Sequence, residues 1–187
     1  MNSKKIYGVF IFLLVVALGI IAFLYIERKI LYPLKYKEEV LYYSNEFSLS
    51  PYLVFATIKV ESSFSPTAKS SKGASGLMQI TDKTARYIAV MLGEDSFDLF
   101  DPETNIRYGC RYLRYLLDKF NDDVAAICAY NAGEGNVLTW LKNNEYSTDG
   151  KTLSVIPFSE TNSYLKKIYQ SLEKYRKLYE NILDKPK

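Results

Sequence analysis

Residues 50–64 read Ser50-Pro51-Tyr52-Leu53-Val54-Phe55-Ala56-Thr57-Ile58-Lys59-Val60-Glu61-Ser62-Ser63-Phe64. Ser50-Pro51 is a helix start signal, an N-cap hydroxyl followed by proline at the first helical position, and Leu53, Ala56, Thr57 and Val60 then fall on one face. The pattern predicts a helix that stops at about Glu61 or Ser62, which puts a carboxyl at a helix C-terminus. There it faces the negative pole of the macrodipole, and burial against Phe64 and Met78 would disfavour its charged form further; both effects raise a carboxyl pKa. The chain contains no histidine. Without imidazole there is no Ser-His-Asp triad, no Cys-His pair and no His-ligated zinc. Acid–base chemistry near neutral pH falls to a carboxyl, Tyr, Lys or Cys with a shifted pKa, and Glu61 is the leading candidate. Taken alone, a solvated glutamate at a helix end would read the same way.

Outward from this stretch the chain reads as a string of helices. Upstream, Leu34, Lys37, Val40, Leu41, Ser44 and Phe47 suggest a helix with Pro33 near its first turn, ended by Ser48 to Ser50. Downstream, Phe64-Ser65-Pro66 and the small-residue run 70–76 form a loop of the length that usually carries function. A helix is expected from about Asp82 to Leu92, with Thr81 or Asp82 as cap and Gly93 just past its end. Asp101-Pro102-Glu103 starts another, which runs to about Phe120 with Ile106, Cys110, Leu113, Leu116 and Leu117 facing a core. Asn121-Asp122 caps the next, Asp123 to about Tyr130, and a short helix through Val137, Trp140 and Leu141 follows the break at residues 131–135. Asn143 to Ile156 is polar and turn-rich, a surface loop with room for a brief extended piece. In the last helix Tyr164, Leu165, Ile168, Leu172, Tyr175, Tyr179 and Ile182 give an apolar stripe. With no period-two alternation and no internal repeat, the soluble part is expected to be all-α with at most a minor extended segment.

The amino-terminal end is of another kind. Ile6 to Ile26 is apolar or aromatic throughout apart from two glycines. About 21 residues at ~1.5 Å each reach roughly 30 Å, the thickness of a bilayer's hydrocarbon core. The expected organisation is a short cytoplasmic N-terminus (1–5), a transmembrane anchor (6–26), a juxtamembrane linker (27–36) and one catalytic domain (37–187). Lys4 and Lys5 precede the span while Glu27, Arg28 and Lys29 follow it, so the positive-inside rule gives a divided vote on orientation. A cleaved signal peptide, which would leave a secreted enzyme, is the rival reading; cleavage after Ala17-Leu18-Gly19 would leave the apolar run Ile20 to Ile26 on the mature chain. No cysteine closes the run, which excludes a lipoprotein anchor.

Composition narrows the class. The 187 residues, 48% of them apolar, suffice for one domain with a real core. A net charge of +3 with no dense basic stripe does not indicate nucleic acid. Cys110 and Cys128 form no metal-type spacing; they fit buried thiols or a disulfide between two packed helices. No cofactor and no metal are expected.

Four motifs settle the odds on Glu61. Glu61-Ser62-Ser63-Phe64, then Gly73-Ala74-Ser75-Gly76-Leu77-Met78-Gln79-Ile80, then Ala129-Tyr130-Asn131-Ala132-Gly133, then Ile156-Pro157-Phe158 with Glu160-Thr161 and Tyr164, resemble the ordered motifs of the soluble-lytic-transglycosylase type domain, glycoside hydrolase family 23. The resemblance covers about Lys37 to Tyr175. It implies a lysozyme-like fold, peptidoglycan glycan strands as substrate, and cleavage of the β-1,4 bond between N-acetylmuramic acid and N-acetylglucosamine without water. It puts the whole catalytic role on Glu61, first as acid to the leaving oxygen, then as base to the muramic C6 hydroxyl, which closes a 1,6-anhydro ring. That accounts for an absence, because inverting and retaining hydrolases need two carboxyls and the sequence offers no obvious second one near Glu61.

The same resemblance gives substrate-binding roles to six other residues. Tyr130 is placed near Glu61 and the substrate's acetamido group, with Asn131 beside it; Gln79 is a sugar-binding amide, and Met78 is either a wall against the sugar ring or a packing residue. Ser70 corresponds to a loop serine near the scissile bond, with neighbouring Ser71 a competing candidate. Glu160 is the acidic position of the last motif, substrate-binding or orienting, or else a charge at a helix N-terminus. Because peptidoglycan lies outside the cytoplasmic membrane, the amino terminus is expected inside and the domain outside. Other classes on the same residues are a lysozyme-like hydrolase that uses water and a non-enzymatic, membrane-tethered glycan-binding assembly factor.

Overall fold

The computed structural model describes residues 3–183. The first two positions of the expected cytoplasmic N-terminus and the last four of the expected domain lie outside them. The chain divides into two compact units, residues 1–35 and 36–187.

The first unit is a helix, α1, Ser3–Ile26, continued by one wider turn over Glu27–Leu31. From Tyr7 to Leu31 it is long and apolar enough to cross a membrane, and none of its most apolar stretch is buried by protein, Glu27 beyond it being buried. Such uniform exposure of apolar side chains has no stable place in water and fits a lipid environment.

The second unit is helical apart from one small hairpin. Its helices are α2 (Lys37–Glu46), α3 (Pro51–Ser62), α4 (Asp82–Leu92), α5 (Pro102–Phe120), α6 (Asp123–Ala132), α7 (Glu134–Leu141) and α8 (Ser159–Leu183). Most boundaries follow local chemistry. Thr81 accepts from the Thr84 N–H to open α4, Asp101 from Thr104 to open α5, and Asp122 from Ala125 to open α6. Gly93 ends α4 at φ +70°, a conformation that costs glycine nothing.

The centre is α3. Val54, Phe55, Ala56 and Ile58 are fully buried and Tyr52 nearly so, which makes this helix apolar around most of its circumference, as a core helix must be. The 25-residue α8 lies along it, with Phe55 against Tyr175 at 5.4 Å between ring centroids. Helix α5 supplies Ile106, Leu113 and Leu116 from one face, and α6 and α7 close the other side of the core with Ala126, Cys128 and Val137. Cys110 and Cys128 are free thiols, both buried, on α5 and α6 respectively; the disulfide is not formed.

Several expectations are corrected. Helix α2 begins at Lys37 after Tyr36 in the left-handed conformation, so Pro33 lies outside it. Ser50 precedes Pro51 as expected, but its hydroxyl makes no capping bond. Helix α6 runs on to Ala132, so Tyr130 and Asn131 sit inside its last turn, and Gly133 makes the break. The last step of the α8 stripe is Leu183, 7% exposed, and not Ile182, 43% exposed. The extended segment lies in the functional loop, where β1 (Ala74–Ser75) pairs antiparallel with β2 (Ile80–Thr81). Residues 143–156 hold no strand; they fold on Asp149, whose carboxylate receives the N–H groups of Lys151 and Thr152.

Candidate active site

Glu61 stands in the last turn of α3, as its sequence position requires. Directly after it the backbone turns sharply, with Ser63 at φ +51° and Phe64 at φ +65°, and Phe64 is pinned against Phe55 with only 3% exposure. The carboxyl is partly buried, and the Tyr164 hydroxyl donates a 2.7 Å hydrogen bond to its Oε1. Burial is the larger influence and raises the pKa; the Tyr164 bond, which favours the charged form, pulls the other way, and the balance stands at about 7. No acidic neighbour contributes to that balance. Burial thus brings the Glu61 carboxyl from the ordinary acidic range to the neighbourhood of neutral pH.

Two tyrosines flank it. Tyr164 and Tyr130 both have hydroxyl pKa values pushed well up, first by burial and next by the nearby Glu61 charge, so both remain neutral donors. The Tyr130 hydroxyl donates to the Met78 carbonyl at 2.9 Å and not to Glu61. The holder of Glu61 is Tyr164, which the resemblance included in a motif without a role. Its position one turn after Glu160, on the apolar stripe with Leu165 and Ile168, was the available signal.

The hairpin turn beside the site hangs on a second unassigned residue. Asn105, fully buried in α5, accepts from the Met78 N–H at 2.7 Å and donates to the Ser75 and Leu99 carbonyls at 2.9 and 2.8 Å. An asparagine in the apolar stripe with Ile106 and Leu113 was its sequence signal. Gly76, at φ +77°, packs so closely on the Asn105 amide and the Leu99 carbonyl that any Cβ would collide with both.

This anchoring decides between the two roles open to Met78, against the sugar wall and for packing. Its side chain is fully buried and fills the space left by Gly109, where a Cβ would strike the thioether sulfur. It is a core residue, and only its carbonyl, through Tyr130, bears on the site. Gln79, at φ +50°, directs its amide N–H groups to the Gly76 and Ala68 carbonyls at 2.8 and 3.2 Å, leaving its carbonyl oxygen for a ligand. Asn131 does the reverse: its Oδ1 accepts from Thr161 at 2.8 Å, leaving its two N–H donors.

Ser70 closes the loop ahead of β1, accepting at its hydroxyl from the Ala74 N–H at 3.0 Å. Glu160, in the first turn of α8, is exposed and forms a 3.4 Å ion pair with Lys72 of the same loop.

Tyr130, Asn131 and Gln79 line one end of an open cleft of about 680 Å³, whose other walls are the start of α4, the floor of α5 and the α6–α7 junction. Glu61 does not itself line that volume; its charge is close enough to act on the hydroxyl of Tyr130, which does.

A helical domain that carries a partly buried glutamate of raised pKa at a helix end, next to a short hairpin and an open cleft, is of the lysozyme-like class. The transglycosylase SLT domain family profile matches residues 39–153. The soluble lytic murein transglycosylase of Salmonella typhimurium is 38% identical over 143 residues, 73% of this chain and 22% of the relative. The membrane-bound lytic murein transglycosylase C of Actinobacillus pleuropneumoniae serotype 5b is 33% identical over 157 residues, 71% of this chain and 43% of the relative. The structure of the 70 kDa soluble lytic transglycosylase of Escherichia coli superposes with a TM-score of 0.68 at 34% identity, over 78% of this chain and 25% of that one. An inactive mutant of the lytic transglycosylase Slt from Pseudomonas aeruginosa matches with a TM-score of 0.68 at 30% identity, over 79% of this chain and 25% of that one. The chain belongs to the transglycosylase SLT domain family. It spans less than half the length of these curated relatives.

Proposed function

We propose that this chain is a membrane-anchored lytic transglycosylase that cleaves the glycan strands of peptidoglycan with Glu61 as its one acid–base group. The observation that carries the reading is Glu61 itself, poised near pKa 7 by burial and one tyrosine, with no acidic partner. A group that must first give a proton and then take one works best with a pKa near the working pH.

In the first half of the reaction protonated Glu61 gives its proton to the glycosidic oxygen as the bond from the muramic C1 breaks. The carboxylate so formed, stabilised by the Tyr164 hydroxyl, then takes the proton of the C6 hydroxyl while O6 bonds to C1. The sugar ends as a 1,6-anhydro ring, Glu61 ends protonated, and no water is consumed. The vacant acceptor of Gln79 and the vacant donors of Asn131 match the N–H and C=O of an acetamido group, which supports an N-acetylated sugar beside Glu61. Ser70 stands in the loop ahead of β1 and Glu160 at the start of α8, where Glu160 reaches the glycan only if its pair with Lys72 yields.

The apolar helix from Tyr7 to Leu31 and the membrane-bound relatives support an anchor, and the location of the substrate supports an inside amino terminus with the domain outside. Mass spectrometry of digested peptidoglycan tests the reaction. Anhydromuramic ends are expected, and they should vanish with Glu61→Gln; reducing ends would show a hydrolase, and undiminished lysis by Glu61→Gln would remove Glu61 from its role. Protease treatment of intact protoplasts should degrade the domain, and its protection would reverse the topology.

A further inference from the structure

Thr161 lies in the fourth motif and takes no part in the chemistry at Glu61 described above. It stands in the first turn of α8 and is 1% exposed, and a hydroxyl buried this deeply must place its proton on an acceptor. The one partner of that hydroxyl among the described residues is Asn131 Oδ1, 2.8 Å away across the packing of α8 on α6.

The direction of this bond decides what Asn131 shows to a ligand. A carboxamide can be turned over about its last side-chain bond, exchanging oxygen for nitrogen with no change of shape, so the surrounding bonds must choose between the two. Were the Asn131 amide turned over, its nitrogen would donate to Thr161. The Thr161 proton would then be left in the interior, since no other oxygen among the described residues receives it. A buried donor left unmet costs more than a made bond gains. The amide therefore stands one way, with its oxygen inward on Thr161 and both N–H groups left for the cleft that Asn131 lines. At this point the cleft offers donors alone. An acetamido carbonyl accepts from them, whereas the amine of a sugar without its acetyl group is itself a donor when charged.

Thr161 shares a face of α8 with Tyr164, one turn on, whose hydroxyl donates to Glu61 at 2.7 Å. One buried helix face thus holds both the carboxyl that moves the proton and the amide that meets the ligand, each through a donating hydroxyl, and fixes their register.

We infer that Thr161 is a positioning residue for the reaction, which keeps the N–H groups of Asn131 toward the cleft and so makes binding depend on the N-acetyl groups of the strand. The inference rests on the reading that peptidoglycan is the substrate, with an acetamido group beside Asn131.

The test is co-sedimentation of the full-length Glu61→Gln protein, in detergent, with insoluble peptidoglycan either as isolated or freed of N-acetyl groups by a deacetylase. The acetylated form should bind more tightly. Adding Thr161→Val, which keeps the outline of the side chain without its hydroxyl, should shrink that preference by about fivefold, the worth of one ordinary hydrogen bond. Thr161→Ser should retain it. Asn131→Asp keeps the Thr161 bond but puts an oxygen where the N–H groups stand, so it should shrink the preference as far and reads the orientation even if Thr161→Val does not fold. A purely structural role for Thr161 would weaken both forms alike and leave the preference unmoved. Equal binding of the two forms by Glu61→Gln, a preference that either Thr161→Val or Asn131→Asp leaves unchanged, or one that Thr161→Ser also loses, overturns the assignment. Products of the wild-type protein read the Glu61 chemistry separately: anhydromuramic ends with an unmoved preference would leave that chemistry standing without Thr161, and a Thr161-dependent preference with no cleavage would do the opposite.

Discussion

Replacing Glu61 by glutamine should stabilise the protein, and the gain should depend on pH in a way fixed by the site. Burial lifts the carboxyl pKa from 4.5 to about 7 in the folded chain. Between those values the folded protein keeps a proton that the unfolded chain has released, so stability falls as pH rises through that window. Below it both states are protonated and nothing is lost. Above it the full cost applies: about two and a half units at ~1.36 kcal/mol each, or roughly 3 kcal/mol, less what partial contact with water returns. Glutamine has the same volume, carries no charge and still accepts the Tyr164 bond, so it removes the cost without opening a cavity. Urea unfolding of the full chain and of Glu61→Gln in detergent at pH 4, 6 and 8 should show a difference near zero at pH 4 and roughly 2–3 kcal/mol in favour of the variant at pH 8. A difference that does not change with pH, or one that favours the wild type increasingly as pH rises, would refute the burial of a neutral acid at this position.

Tyr164→Phe removes a bond that favours the carboxylate, worth about 1.5–3 kcal/mol, and should raise the Glu61 pKa by about 1–2 units. Its alkaline limb of activity should move up by that amount while the maximal rate falls; an unmoved profile would separate Tyr164 from the proton. Asn105→Ala strips three partners from buried backbone groups and should cost about 3 kcal/mol or more in urea unfolding, where a loss under 1 kcal/mol would mean that the hairpin turn has other support.

Much of the fold was legible because its signals act within one helical turn. The starts at Thr81, Asp101 and Asp122 and the stop at Gly93 are matters of one side chain and the backbone beside it. Where the signal was weaker the boundary moved: α6 absorbed Asn131 and Ala132, which have no objection to helix, until Gly133 broke it. The hairpin was illegible because two residues per strand give no alternation to read, and it stands on Asn105 from another helix.

By itself the sequence determined that the soluble part is helical, that the apolar segment ahead of it could cross a membrane, and that Glu61 ends a helix. These follow from periodicity, length and capping, which are local properties. Only the tertiary structure decided what Glu61 is able to do. The partner that holds it, Tyr164, lies 103 residues along the chain, and the packing of α8 on α3 brings the two together. The same packing turned Met78 into the core, aimed the amides of Gln79 and Asn131, and engaged Glu160 with Lys72. A pKa is set by how much water a group loses and which dipoles replace it, and those are properties of neighbours in space that no stretch of sequence carries.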